Sequence, residues 1–149
     1  MNPKRSLPDP PPETELEIKR ILLLDDDIDL ADALKNLLES RNYIVTTVKN
    51  GAEGLRELMA LDFDVIMCDM VMPSMAGDMF YLAVQKTKPH LCDCFIFLTG
   101  HSDIPKVTEF IQRVNGVVLY KPVNSRELVR TISYITNRNR PRSATVIGE

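Results

Sequence analysis

The stretch Asp64-Val65-Ile66-Met67-Cys68-Asp69-Met70-Val71-Met72-Pro73 decides how this chain is read. Val65 to Cys68 form an unbroken apolar run. Such a run suits a strand buried on both faces, as in a parallel sheet, better than a half-exposed alternating strand. The run stops at an acid, Asp69. Three other runs have the same form. Ile21-Leu22-Leu23-Leu24 ends at Asp25-Asp26-Asp27, Phe95-Ile96-Phe97-Leu98 ends at Thr99, and Val117-Val118-Leu119-Tyr120 ends at Lys121-Pro122. Open α/β sheets place their ligands at the carboxyl ends of their strands. Carboxylates, a hydroxyl and a lysine at four such ends make a constellation suited to phosphoryl transfer. Gathered carboxylates repel one another, and a divalent cation that prefers oxygen ligands, such as Mg2+, relieves them.

Between these runs the periodicity changes to helical. Leu30, Ala33, Leu34, Leu37 and Leu38 recur at helical spacing, which predicts a helix over 29–41. Asn50 with Glu53, and Asn124 with Glu127, match the capping-box pattern and predict helix starts there. Further helices are expected over 77–87, ended by Pro89, and from Ser102-Asp103 to Gly116 with Pro105 in the first turn. The last helix is expected to reach Asn137. Strands are expected over 20–25, 43–48, 64–69, 94–99 and 117–120. Five βα alternations imply a parallel sheet with right-handed crossovers.

The expected domain spans 18–137. Residues 1–17 hold five of the ten prolines and few apolar residues, and read as a disordered lead. Residues 138–149, with Arg138, Arg140 and Arg142, read as a flexible tail. A chain of 149 residues suits one domain with an adequate core. A net charge of −3 gives no electrostatic case for nucleic-acid binding. No apolar run approaches membrane-spanning length, and Lys4 and Arg5 lead into prolines rather than a signal peptide's apolar segment. The default location is therefore cytoplasmic. Cys68 reads as a small core residue. Cys92-Asp93-Cys94, with His90 nearby, lacks the four ligands of structural zinc and reads as a loop leading into a strand.

Taken together, Leu-Leu-Leu-Asp25-Asp26-Asp27, Asp69-Met-Val-Met72-Pro73-Ser-Met-Ala-Gly77, Leu98-Thr99-Gly100 and Tyr120-Lys121-Pro122 resemble the response-regulator receiver domain of two-component signalling. The resemblance covers about Lys19 to Tyr134. It implies a flavodoxin-like, doubly wound α/β fold with a five-stranded parallel sheet in the order 2-1-3-4-5 and five helices. It implies a signalling module rather than an enzyme, with Asp69 as the phosphoacceptor. Mg2+ would be held by Asp25, Asp26, Asp69 and the Val71 backbone carbonyl. Lys121, Thr99 and the Gly100 N–H would contact phosphoryl oxygens. The Lys121-Pro122 bond is expected to be cis.

Expected partners are a histidine kinase or histidine phosphotransfer domain, plus an output partner that the sequence does not identify. No membrane partner is expected. Asp29, Leu30 and Ala33, bordered by Pro122 and Val123, are the candidate docking residues. Two departures from the family pattern matter. Many receivers carry an aromatic three residues before the lysine, and here that position is Val118; Tyr120 is not counted as its equivalent. The positions two after the phosphoacceptor and two after the threonine are Val71 and His101. Neither supplies an anionic water-orienting group, so a long-lived acyl phosphate is expected. The rival readings are a phosphorylation-independent pseudo-receiver and an aspartyl-phosphate phosphatase. The latter needs an acid where Val71 stands.

Overall fold

The computed structural model describes residues 18–72, 75–100 and 104–139. The expected lead over 1–17, Pro73 and Ser74, the loop positions His101, Ser102 and Asp103, and the tail from Arg140 lie outside the described residues. Strand and helix alternate as β1 (Arg20–Leu24), α1 (Ile28–Glu39), β2 (Ile44–Val48), α2 (Gly51–Ala60), β3 (Val65–Asp69), α3 (Gly77–Thr87), β4 (Phe95–Thr99), α4 (Pro105–Arg113), β5 (Val117–Tyr120) and α5 (Ser125–Arg138). All strand pairs are parallel, and the sheet order is β2-β1-β3-β4-β5, as expected.

The central strands explain their own composition. Every residue of β3 and β4 is buried, so both faces of the sheet are covered and neither strand can afford a polar position before its end. The helices bury one face each. Ala31, Leu34 and Leu38 do so in α1, and Leu128, Ile132 and Ile135 in α5. Helix α2 buries Gly51, Gly54 and Leu58. A Cβ at Gly54 would stand 2.9 Å from the Phe80 ring and 3.0 Å from Leu24 Cδ2, so this glycine lets α2 press against α3 and β1.

Caps follow the sequence with small differences. Helix α1 starts at Ile28 because Asp27 is its N-cap and accepts from the Leu30 N–H. Asn50 and Asn124 accept from the Glu53 and Glu127 N–H groups. Glu53 reaches back to the Lys49 N–H rather than to that of Asn50. The stretch expected as loop leading into a strand at Cys94 forms a 3-10 helix, Pro89–Cys94, so β4 starts one residue later at Phe95. The turn after α4 puts Asn115, not Gly116, in the left-handed region, at φ 55°. Gly116 is needed for space, since a Cβ there would lie 2.6 Å from the Phe97 ring. Helix α5 includes Arg138, where the tail was expected to begin. Arg138 and Asn139 side chains both donate to the Asp93 carbonyl, which fastens this end of the helix to the 3-10 turn.

Candidate functional site

The candidate residues stand one step past, or at, the last rung of the sheet, and the ladder holds their backbones. The Asp25 N–H donates to the Val48 carbonyl at 3.1 Å, continuing β1 along β2. The Met70 N–H donates to the Leu98 carbonyl at 2.9 Å, which fixes the peptide that follows Asp69. The Lys121 N–H donates to the Thr99 carbonyl at 2.8 Å. Thr99 pairs in register with Tyr120. Backbone placement by a buried sheet is rigid, so these side chains start from defined positions.

Their side chains converge. Oxygens of Asp25, Asp26 and Asp69 all lie within 4.8 Å of one another. Among the described residues no other set of three His, Cys, Asp or Glu side chains does so, which leaves Cys92, Asp93 and Cys94 without a metal-binding arrangement. Asp25 and Asp69 are 1% and 4% exposed, and Asp26 opens to solvent. The Lys121 ammonium sits 3.2 Å from Asp25 Oδ2 and 3.3 Å from Asp69 Oδ2, bridging the two buried acids. Asp25 Oδ1 accepts from the Asp27 N–H and Asp69 Oδ1 from the Val71 N–H. Asp25 Oδ2 is buried, and the Lys121 ammonium is its ion-pair partner. Thr99 is buried beside them, and the Lys121-Pro122 bond is cis.

The electrostatics record this crowding. Burial pushes the Asp69 carboxyl from 3.8 up to about 6; the Val71 N–H opposes the rise, Asp25 adds to it, and Lys121 opposes it. Burial works to lower Lys121, but Asp69 and Asp25 outweigh it and hold the ammonium above its ordinary range. An all-oxygen donor set of three clustered carboxylates, one of whose buried oxygens accepts no hydrogen bond and is balanced by a lysine alone, suits a hard divalent cation such as Mg2+. Cys68, directly before Asp69, is pushed far up by burial and is an inert core thiol. Cys94 is pushed up to about 11 and Cys92 also upward, both first by burial.

Every expected site residue that is described lies at this one end of the sheet. Val71 is 56% exposed, and its N–H is committed to Asp69. Val118 is half-buried and Tyr120 exposed; two residues apart on β5, they share a face of the strand. On α1, Asp29 and Ala33 are exposed, while Leu30 is half-buried against the core. The sequence reading passed over Ile28, which is 58% exposed in the first turn of α1. Its place between two acids, outside the apolar stripe of the helix, was the available signal.

Residues 21–133 match the sequence profile of the response regulator receiver domain. The chain is 34% identical over 121 residues to the transcriptional regulatory protein GlrR of Escherichia coli strain K12, covering 81% of this chain and 27% of that protein. It is 33% identical over 115 residues to the response regulator receiver protein CpdR of Brucella abortus, covering 77% of this chain and 94% of that one. It thus spans about a quarter of the first relative and nearly all of the second. A crystal structure of a response regulator receiver domain protein from Clostridium thermocellum is similar, with TM-score 0.74 and 30% identity, covering 83% of this chain and 98% of that one.

Proposed function

The chain belongs to the response regulator receiver family, and from that premise we propose that it takes a phosphoryl group from a phosphohistidine onto Asp69. The observation that carries the reading is the Asp69 carboxylate at the end of β3, inside a three-carboxylate cluster and 3.3 Å from the Lys121 ammonium. One Asp69 oxygen attacks phosphorus as the P–N bond breaks. The bond's electron pair stays on the departing imidazole, whose second nitrogen already carries a proton, so the ring leaves neutral. The product is an acyl phosphate, a covalent state that carboxylate nucleophiles form in phosphoryl transfer.

Asp26, one oxygen of Asp69, and the Val71 carbonyl would hold Mg2+ directly, with Asp25 sharing it or acting through water. When bound, Mg2+ neutralises charge on the transferring oxygens. Lys121 supplies a second, compact positive charge for a phosphoryl oxygen. It is already held between Asp25 and Asp69, so it needs little movement to exchange a carboxylate contact for a phosphoryl one. The Thr99 hydroxyl and the Gly100 N–H would take the remaining oxygens. The donor would be a histidine kinase or histidine phosphotransfer domain, meeting the first turn of α1 near Ile28, Asp29 and Leu30 and the Pro122-Val123 rim. With such partners the proposed location is the cytoplasm. No described helix is long and apolar enough to cross a membrane.

The test is intact mass after incubation with acetyl phosphate and Mg2+. Wild type should gain one phosphoryl group and Asp69→Asn none. A wild type that gains nothing, yet binds Mg2+, would favour a phosphorylation-independent binding module.

A further inference from the structure

Gly77 opens α3 and is buried. Its φ lies outside the left-handed region, so conformational freedom does not explain a glycine here. Space does. A Cβ at this position would stand 2.7 Å from the Asp69 carbonyl oxygen, 2.9 Å from Met70 Cα and 2.9 Å from Met70 Sδ. The first two are backbone atoms and cannot rotate away.

The peptide joining Asp69 to Met70 is thus held on both sides. Its N–H is bonded to the Leu98 carbonyl of β4. Its carbonyl faces the first turn of α3 at Gly77. The Gly77 N–H in turn donates to the Met70 carbonyl at 3.3 Å. The next N–H, that of Val71, returns to Asp69 Oδ1 at 3.2 Å. The direction of the Asp69 carboxylate therefore depends on where this backbone segment lies. We propose that Gly77 is a positioning residue: its missing side chain lets α3 seat against the Asp69-Met70 peptide and so aims the carboxylate at Asp25, Asp26 and Lys121.

The idea rests on the phosphoacceptor reading, and it specifies a distance. Moving a new Cβ from 2.7 Å to an ordinary contact near 3.4 Å requires a backbone shift of about 0.7 Å. Misplacements near 1 Å cost about a hundredfold where chemistry depends on alignment. Two other glycines provide contrasts. A Cβ at Gly51 would meet only atoms of the Met75 side chain, of which Sδ and Cγ can swing aside while Cβ, at 3.1 Å, needs to give by a few tenths of an ångström. A Cβ at Gly116, which precedes β5 at the opposite end of the sheet from Asp69, would meet the buried ring of Phe97, the β4 residue paired with Cys68.

The experiment compares the full chain with Gly77→Ala, Gly51→Ala and Gly116→Ala. Mg2+ affinity is measured by calorimetry, the acetyl phosphate labelling rate by mass, and stability by urea in EDTA. Gly77→Ala should lose about tenfold or more in both Mg2+ affinity and labelling rate. Gly116→Ala should lose stability yet keep both within about twofold, and Gly51→Ala should keep both within about threefold. Wild-type Mg2+ affinity in a folded Gly77→Ala variant would overturn the proposal, as would equal losses in Gly116→Ala. If Gly77→Ala unfolds in buffer, the titration is repeated in sucrose, which strengthens effective burial. Failure to fold there also overturns it, because the proposal requires a displaced site in an intact fold. If wild type itself is not labelled, the phosphoacceptor reading fails, while the Mg2+ titration still decides the role of Gly77.

Discussion

Replacing Asp69 by Asn should stabilise the metal-free fold near neutral pH while abolishing phosphoacceptance. Burial raises the Asp69 carboxyl from 3.8 to about 6. An acid with a raised folded pKa binds its proton more tightly in the folded state. Stability therefore falls as pH rises from about 4 to about 6, and the loss is complete above that window. At about 1.4 kcal/mol per pH unit, the gap corresponds to about 3 kcal/mol. Solvent reaches the rim of the site, and the variant also loses a Lys121 contact, so the net gain expected is about 1–2 kcal/mol. Asn has nearly the same shape, and its carbonyl oxygen can still accept from the Val71 N–H.

Urea denaturation in EDTA reads this directly. With a slope of about 1–3 kcal/mol per molar urea, the midpoint at pH 7.5 should rise by about 0.5–1 M. At pH 4.5, where the folded wild-type carboxyl is already protonated, the advantage should shrink to about a third. Saturating Mg2+ should reverse the order, because wild type gains by linkage and the variant has lost a ligand. An Asn variant no more stable at pH 7.5, or equally favoured at both pH values, would refute the claim that the Asp69 carboxylate is held at an electrostatic cost.

Asp26→Asn should weaken Mg2+ binding about tenfold by calorimetry while changing EDTA stability by less than about 0.5 kcal/mol, because Asp26 is exposed. Ile28→Asp should slow phosphotransfer from a phosphohistidine protein about tenfold, leaving labelling by acetyl phosphate unchanged; equal slowing of both would remove the docking role. Val71→Asn combined with His101→Glu should shorten the life of the acyl phosphate, followed by loss of the mass increment at fixed Mg2+ and pH; an unchanged decay would discard the water-orientation argument.

What could be read from the chain divides along a physical line. Residue type and order reveal burial. The apolar runs that end in Asp25, Asp69 and Thr99 read as strands covered on both faces and are so, whereas the run before Lys121 forms the edge strand β5 with only Leu119 fully buried; the polar ends of all four meet at one edge. Strand order did not come from the runs; it came from the family resemblance, because any parallel arrangement would bury them equally. Distances of approach were not legible at all. Gly77, Gly54 and Gly116 look alike in sequence, yet each meets a different obstacle: peptide backbone, two apolar side chains, or one aromatic ring. The 3-10 turn was missed because Pro89-His-Leu-Cys-Asp-Cys94 is too short to show periodicity. The double contact of Lys121 was missed because its second partner, Asp25, lies far away in sequence. That contact is also what makes the site intelligible without bound metal. Two buried carboxylates tolerate each other because one ammonium lies between them.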